Sequence, residues 1–168
     1  MKALRHILRV EWLVAAFCAW HAADPLHDAG LSHAWRHSPY DRYGWLAFFI
    51  WLIPAVRNVV AGADPGGRFA LTLVSLGLAL TGVIGDLNFL VYCGLAGIIG
   101  ALANVSGRAW LWLALTFCWM PAFGYGVCEI LHLSPHLVPI PRLLVAIFAT
   151  GVGLSQPVPA PSAPQPKS

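Results

Sequence analysis

Five long apolar segments, divided by short turns that hold most of the polar residues, constrain this chain more than any motif does. The first runs from about Val10 to Ala23 with Glu11 near its start, and its shortness predicts an extension back over Ile7 and Leu8. A polar loop follows, from Asp24 to Tyr43. The second segment covers Gly44 to about Ala61, and Pro54 within it predicts a kink because proline lacks the N–H a helix needs there. After the turn Ala63-Asp64-Pro65-Gly66-Gly67, where Pro and Gly stop helices, the third runs from about Phe69 to Gly85. Asp86 marks a tight reversal into the fourth, about Leu87 to Val105. Ser106-Gly107-Arg108 leads into the fifth, about Ala109 to Leu131, with Pro121 in its middle. A sixth, Leu137 to Leu154, contains Pro139, Pro141 and Arg142 and reads as re-entrant or only partly inserted.

A helix that crosses a bilayer needs about 20 mainly apolar residues, fewer where one end is buried in protein. Of the 168 residues 58% are hydrophobic and 10% charged, against roughly 25% charged in a soluble domain, and the mean hydropathy is +0.69. A globule of this length buries only about 70% of its unfolded surface, too little to hide so much Leu, Val, Ala and Trp from water. The expected fold is therefore all-α, a polytopic integral membrane bundle of five to six transmembrane helices over residues 1–154. Residues 155–168, rich in Pro, Ala and Ser, read as a disordered tail. No cleavable secretory signal is expected, His21-Ala22-Ala23 being the nearest approach to a cleavage site.

Cytoplasmic loops hold an excess of Lys and Arg. With the N-terminus cytoplasmic, Lys2, Arg5, Arg9, Arg57, Arg68, Arg108 and Lys167 lie inside and Arg36, Arg42 and Arg142 outside. Asp24, Asp28, Asp41, Asp86 and Glu129 then gather at the outer face with His27, His33, His37, His132 and His136, which is where chemistry is to be sought. The eight tryptophans include several at segment ends, as expected of a headgroup-level belt. Gly94, Gly97 and Gly100 allow close helix approach, within the chain or against another subunit. The small, dispersed net charge of +3 excludes a basic nucleic-acid-binding stripe.

His33-x-x-x-His37 places two imidazoles on one helical face, and with Asp41 they form a candidate transition-metal site to which His132, His136 or Glu129 would add ligands. The plain alternative is solvated loop histidines, since Pro39 interrupts the helix before Asp41. His21, near the end of an apolar segment, is a candidate tetrapyrrole ligand; the alternative is a hydrogen bond to a neighbouring helix. No cofactor is required by the sequence. Cys18, Cys93, Cys118 and Cys128 lack CxxC spacing and read as small core residues.

The segment Trp35-Arg36-His37-Ser38-Pro39-Tyr40-Asp41-Arg42-Tyr43-Gly44-Trp45-Leu46 resembles the first outer loop of the exosortase/archaeosortase family. Ile50-Trp51-Leu52-Ile53 ending at Arg57, then Gly85-Asp86-Leu87, Ser106-Gly107-Arg108-Ala109 and Leu115-Thr116-Phe117-Cys118-Trp119-Met120-Pro121 resemble that family's order of helices and turns. The resemblance covers about residues 8 to 130, its N-terminal half, and departs at Arg42-Tyr43-Gly44, where the family often has Ser-His-Gly. It implies that the family's Cys, Arg and His, which perform transpeptidation on sorting signals, belong to a half beyond the Met-Pro helix. In an alternative register Tyr92-Cys93-Gly94 resembles the family's Ala-Cys-Ser-Gly, with Cys93 as nucleophile and Arg142 as the anion-stabilising Arg. A thiolate needs a base or cation beside it, yet no His follows Arg142.

The expected function is that of a non-catalytic multi-pass membrane protein, resembling half of an exosortase and acting through helix packing or partner binding. Its expected partners are the lipid bilayer and other membrane protein subunits, in a bacterial inner membrane. The alternatives are an accessory subunit of a respiratory, photosynthetic or export complex, and an enzyme using Cys93 or an outer metal site.

Overall fold

In the computed structural model residues 10–24, 30–61 and 69–157 are described, and among them every regular element is a helix. The elements are α1 (Val10–Ala23), α2 (Leu31–His37), α3 (Gly44–Val60), α4 (Phe69–Ile84), α5 (Asn88–Leu102) and α6 (Ala109–Ala114). A 3-10 stretch (Leu115–Trp119) continues α6, and α7 (Phe123–Leu131), a 3-10 turn (Pro135–Leu137) and α8 (Pro139–Leu154) complete the order. The proposed extension over Ile7 and Leu8, and all but the first three residues of the proposed tail, lie outside the described residues.

Pro135–Leu154, 20 residues, is long and apolar enough to cross a membrane. Ala109–Trp119 with Phe123–Leu131 is a second such segment if the pair, bent by 86°, is one span; α1, α3, α4 and α5 are apolar but shorter.

One expectation is corrected. The fifth segment is not one continuous helix, because the chain breaks sharply at Met120-Pro121-Ala122, where Ala122 takes a left-handed φ of 74°. Pro121 supplies no N–H and disfavours helix in the residue before it. Within the sixth segment α8 runs unbroken, since Pro139 and Pro141 fall in its first turn, where helical N–H groups have no intrahelical partner anyway. The polar loop contains α2, which carries His33 and His37.

The helices pack in two groups. In one, α4 lies along α5 and α1 covers both; in the other, α3 lies along α8 beside α6 and the 3-10 stretch. Small residues close the first group: a Cβ on Gly94 would stand 2.7 Å from the Ser75 carbonyl oxygen, and one on Gly97 would strike the Ser75 hydroxyl. These glycines therefore serve packing within the chain.

The second group is held by a proline and its compensation. Pro54, inside α3, cannot donate to the Ile50 carbonyl four residues back. The Thr150 hydroxyl of α8 donates to that carbonyl instead, at 2.6 Å. Gly153, one turn on, leaves room for the proline ring, since a Cβ there would lie 2.6 Å from Pro54 Cγ. Thr150→Val is expected to destabilise the fold by about 1–3 kcal/mol, the cost of a buried acceptor without a donor. In a Pro54→Ala background the restored N–H serves Ile50 and the penalty disappears. Equal penalties in both backgrounds, measured by unfolding in mixed micelles, would refute this pairing.

Arg57 closes the far end of the same pair. Its guanidinium donates to the carbonyls of Leu154 at 2.7 Å, Gly153 at 3.3 Å and Gln156 at 3.0 Å, the acceptors a helix leaves open at its C-terminus. It also grips Asn58 Oδ1, and the Asn58 amide donates to the Ala103 carbonyl at 3.0 Å. The C-terminal ends of α3, α5 and α8 thus meet in one network.

Candidate functional site

At the opposite end of α3 and α8 the chain buries a charge. Arg142, in the first turn of α8, is wholly buried. Its Nη2 donates to Asp41 Oδ1 at 2.8 Å and to the Tyr40 carbonyl at 3.1 Å. Asp41, itself buried, sits in the short turn Ser38–Tyr43 between α2 and α3, closed by its N–H to the Ser38 carbonyl and by the Gly44 N–H to its own carbonyl. Tyr43 reaches the next helix through a left-handed φ of 65°, a conformation uncommon for any residue but glycine.

Two glycines shape the space around the guanidinium. A Cβ on Gly44 would collide with the Trp35 indole and lie 2.8 Å from Arg142 Nη1. One on Gly124, at the start of α7, would strike the Tyr40 carbonyl and lie 3.1 Å from Arg142 Nη2. The Phe123 ring lies over the guanidinium, 5.4 Å from its carbon, an attractive cation–π placement. The break after Trp119 therefore folds α7 back as the cover of Arg142.

Trp35 fastens this cover from the other side. Its indole N–H donates to the Trp119 carbonyl at 3.1 Å, an acceptor placed at the broken helix end. Behind it Trp51, Trp112 and Trp119 are buried together. Trp51 and Trp112 donate to one another's backbone carbonyls at 3.0 and 2.8 Å, with rings stacked at 4.7 Å and 14°. Trp12, Trp20, Trp45 and Trp110 are exposed, whereas these three belong to the core and not to a surface belt.

Arg142 keeps donors in reserve. Its Nε and Nη1 are buried with no hydrogen-bond partner, as is Trp119 Nε1. A guanidinium has five N–H groups, of which Nη2 carries two, so three are open. Leaving buried donors of a charged group unmet costs more than the usual 1–3 kcal/mol or so apiece. The site is thus preorganised to hold oxygen acceptors. With Asp41 already balancing the charge, a neutral carbonyl is favoured over a second anion.

The candidate residues from sequence are distributed as follows. Asp41 pairs with Arg142 rather than with histidines. His33 and His37 do share one face of α2, their rings stacked at 4.3 Å with His37 Nδ1 3.2 Å from the His33 carbonyl. His132 and His136 are exposed near α7. No group of three or more His, Cys, Asp or Glu able to hold a metal occurs among the described residues. His21 packs on Phe17 and lines a cavity of about 430 Å³ with Asp24, Asp86 and Asn88. Cys93 lies on α5, against α4 and α1, away from Arg142 on α8; the cysteine within electrostatic reach of Arg142 is the buried Cys118. Sequence reading missed the roles of Trp35 and Tyr40, for which the Met-Pro break and the glycines at 44 and 124 were the available signals, while Cys118 is the buried core residue it was read to be.

No protein-family model, curated protein or solved structure matches the chain.

Proposed function

We propose that this chain is a multi-pass integral membrane protein that works as a non-catalytic scaffold, resembling the N-terminal half of an exosortase and binding partner subunits through its helices. Its place is a bacterial inner membrane, with the N-terminus cytoplasmic. One observation carries the reading: large apolar side chains stay exposed along α1, α3, α4 and α8, whereas α5 is largely buried. On α3 these are Phe49, Ile53, Val56 and Val60, on α4 Phe69, Leu73, Leu80 and Ile84, and on α8 Ile140, Leu144, Ile147 and Phe148. Patches beyond a few hundred Å² are rare on soluble monomers. The polar groups meanwhile turn inward or collect at helix ends, as a chain without water around its middle requires.

Helices of 14 to 17 residues reach only about 21–26 Å, short of a hydrocarbon core of about 30 Å. Local thinning of the bilayer and interfacial Trp side chains accommodate that difference at modest cost. The Asp41–Arg142 pair lies inside this scaffold, joining the turn before α3 to the first turn of α8.

Expressed with a C-terminal tag, the protein is expected in the membrane pellet after an alkaline carbonate wash, and to copurify with defined chains in mild detergent. Release into the supernatant overturns the membrane reading. Retention with no copurifying chain, together with a stable monodisperse monomer, overturns the partner reading.

A further inference from the structure

From the groove on α3 we infer a binding site for an anionic phospholipid, seated with its acyl chain on the apolar stripe and its phosphate at Arg57; this rests on the membrane reading above. The groove, about 460 Å³, is lined by Phe49, Leu52, Ile53, Val56, Val60 and Arg57. These positions repeat at i, i+3, i+4, i+7, i+8 and i+11, one continuous face of a helix. From Phe49 to Val60 that face is about 17 Å long, close to one leaflet of the hydrocarbon core, about 15 Å. Its far side is open, with Phe49 59%, Ile53 47% and Val56 50% exposed, and none of the described residues covers it.

The charge at the end of the stripe selects the headgroup. Among the described residues every acceptor that Arg57 holds is neutral: three backbone carbonyls and the Asn58 amide oxygen. Its positive charge therefore meets helix-end dipoles but no carboxylate in these contacts, and Nη1 makes one of the two hydrogen bonds it has protons for. A second cation stands at the same end. A Cβ on Gly107 would lie 3.7 Å from the Gln156 side chain, and Gln156 is a partner of Arg57, so the exposed Arg108 follows directly beside this network. An arginine at the membrane surface attracts an anionic headgroup, worth about a fivefold preference each, and its planar N–H groups match phosphate oxygens. A zwitterionic lipid fits the stripe equally but gains nothing net from the cations.

The test uses the whole chain. Incorporation into phosphatidylcholine vesicles, read by flotation after a carbonate wash, is the check on the membrane reading; failure to incorporate removes that reading itself. Native mass spectrometry of the detergent-purified protein, titrated with phosphatidylglycerol or phosphatidylcholine, then reads the site. The wild type is expected to retain phosphatidylglycerol at least fivefold better. Arg57→Gln should lower that preference about fivefold, leaving the share that Arg108 supplies. Because Arg57 also caps α8, Arg108→Gln serves as a second variant, expected to lower the preference severalfold with the fold intact. Ile53→Trp, which fills the groove, should weaken both lipids together. Equal retention of the two lipids by the wild type, or a preference untouched by both arginine variants, overturns the site while leaving membrane insertion standing.

Discussion

Replacing Asp41 with leucine is expected to cost about 3–5 kcal/mol, because it leaves the Arg142 charge buried without a counterion. Asp41 is the only acid within hydrogen-bonding distance of Arg142 among the described residues, and three N–H groups of the guanidinium already lack acceptors. Removing the charge as well reverses the effect. The double variant Asp41→Leu with Arg142→Met places apolar groups of similar length in an apolar surrounding, and such exchanges of a buried ion pair are often neutral or stabilising. Urea or SDS unfolding in mixed micelles, followed by Trp fluorescence, measures both. A single variant as stable as the wild type would show that the pair is not buried as described. A double variant as poor as the single would show that Arg142 is needed for more than its charge balance.

Trp51→Ala or Trp112→Ala is the second large loss, about 3–5 kcal/mol for an emptied indole site in the core. Each indole N–H also donates to the other residue's backbone carbonyl and the rings stack, so the energies of the paired variants should not add. Trp51→Phe and Trp112→Phe, which keep much of the volume, should each lose about 1 kcal/mol for the missing N–H donor. Two indoles stacked at 4.7 Å and 14° are also expected to show an exciton couplet in circular dichroism. The couplet should fall most in Trp51→Phe, which also removes the tilted 5.7 Å pair with Trp119, and should change in Trp112→Phe and Trp119→Phe as each pair is lost. A spectrum unchanged by all three substitutions is incompatible with the stack.

Helix content was legible from the sequence because it rests on local signals. Gly44, Asp86 and Ser106-Gly107 punctuate the chain, and α3, α4 and α5 begin or end within a few residues of them. Proline misled where its position in the turn mattered more than its presence. Pro139 and Pro141 read as breakers but occupy the first turn of α8, while Pro121 read as a mild interruption but sits at an 86° break. The site was half legible. Asp41 and Arg142 were both singled out, but each was assigned to another partner, since the two lie 101 residues apart and spacing rules carry no information at that range. The three buried tryptophans could not be told from the exposed four by composition alone. Their separation depends on which face of each helix meets another.

The bond from Thr150 to Ile50 also constrains how this chain can change over generations. A lineage that loses the Thr150 hydroxyl first passes through a destabilised intermediate, because Pro54 still withholds its N–H. One that exchanges Pro54 first leaves Ile50 with a local donor, after which position 150 is free to drift. Gly153 is held more tightly still, since a Cβ there would lie 2.7 Å from the Cβ of residue 54 as well as against the proline ring, and every residue but glycine keeps that atom. Among descendants, proline at 54 should therefore be found with a hydroxyl at 150 and glycine at 153, and the reverse sequence of losses should be rare.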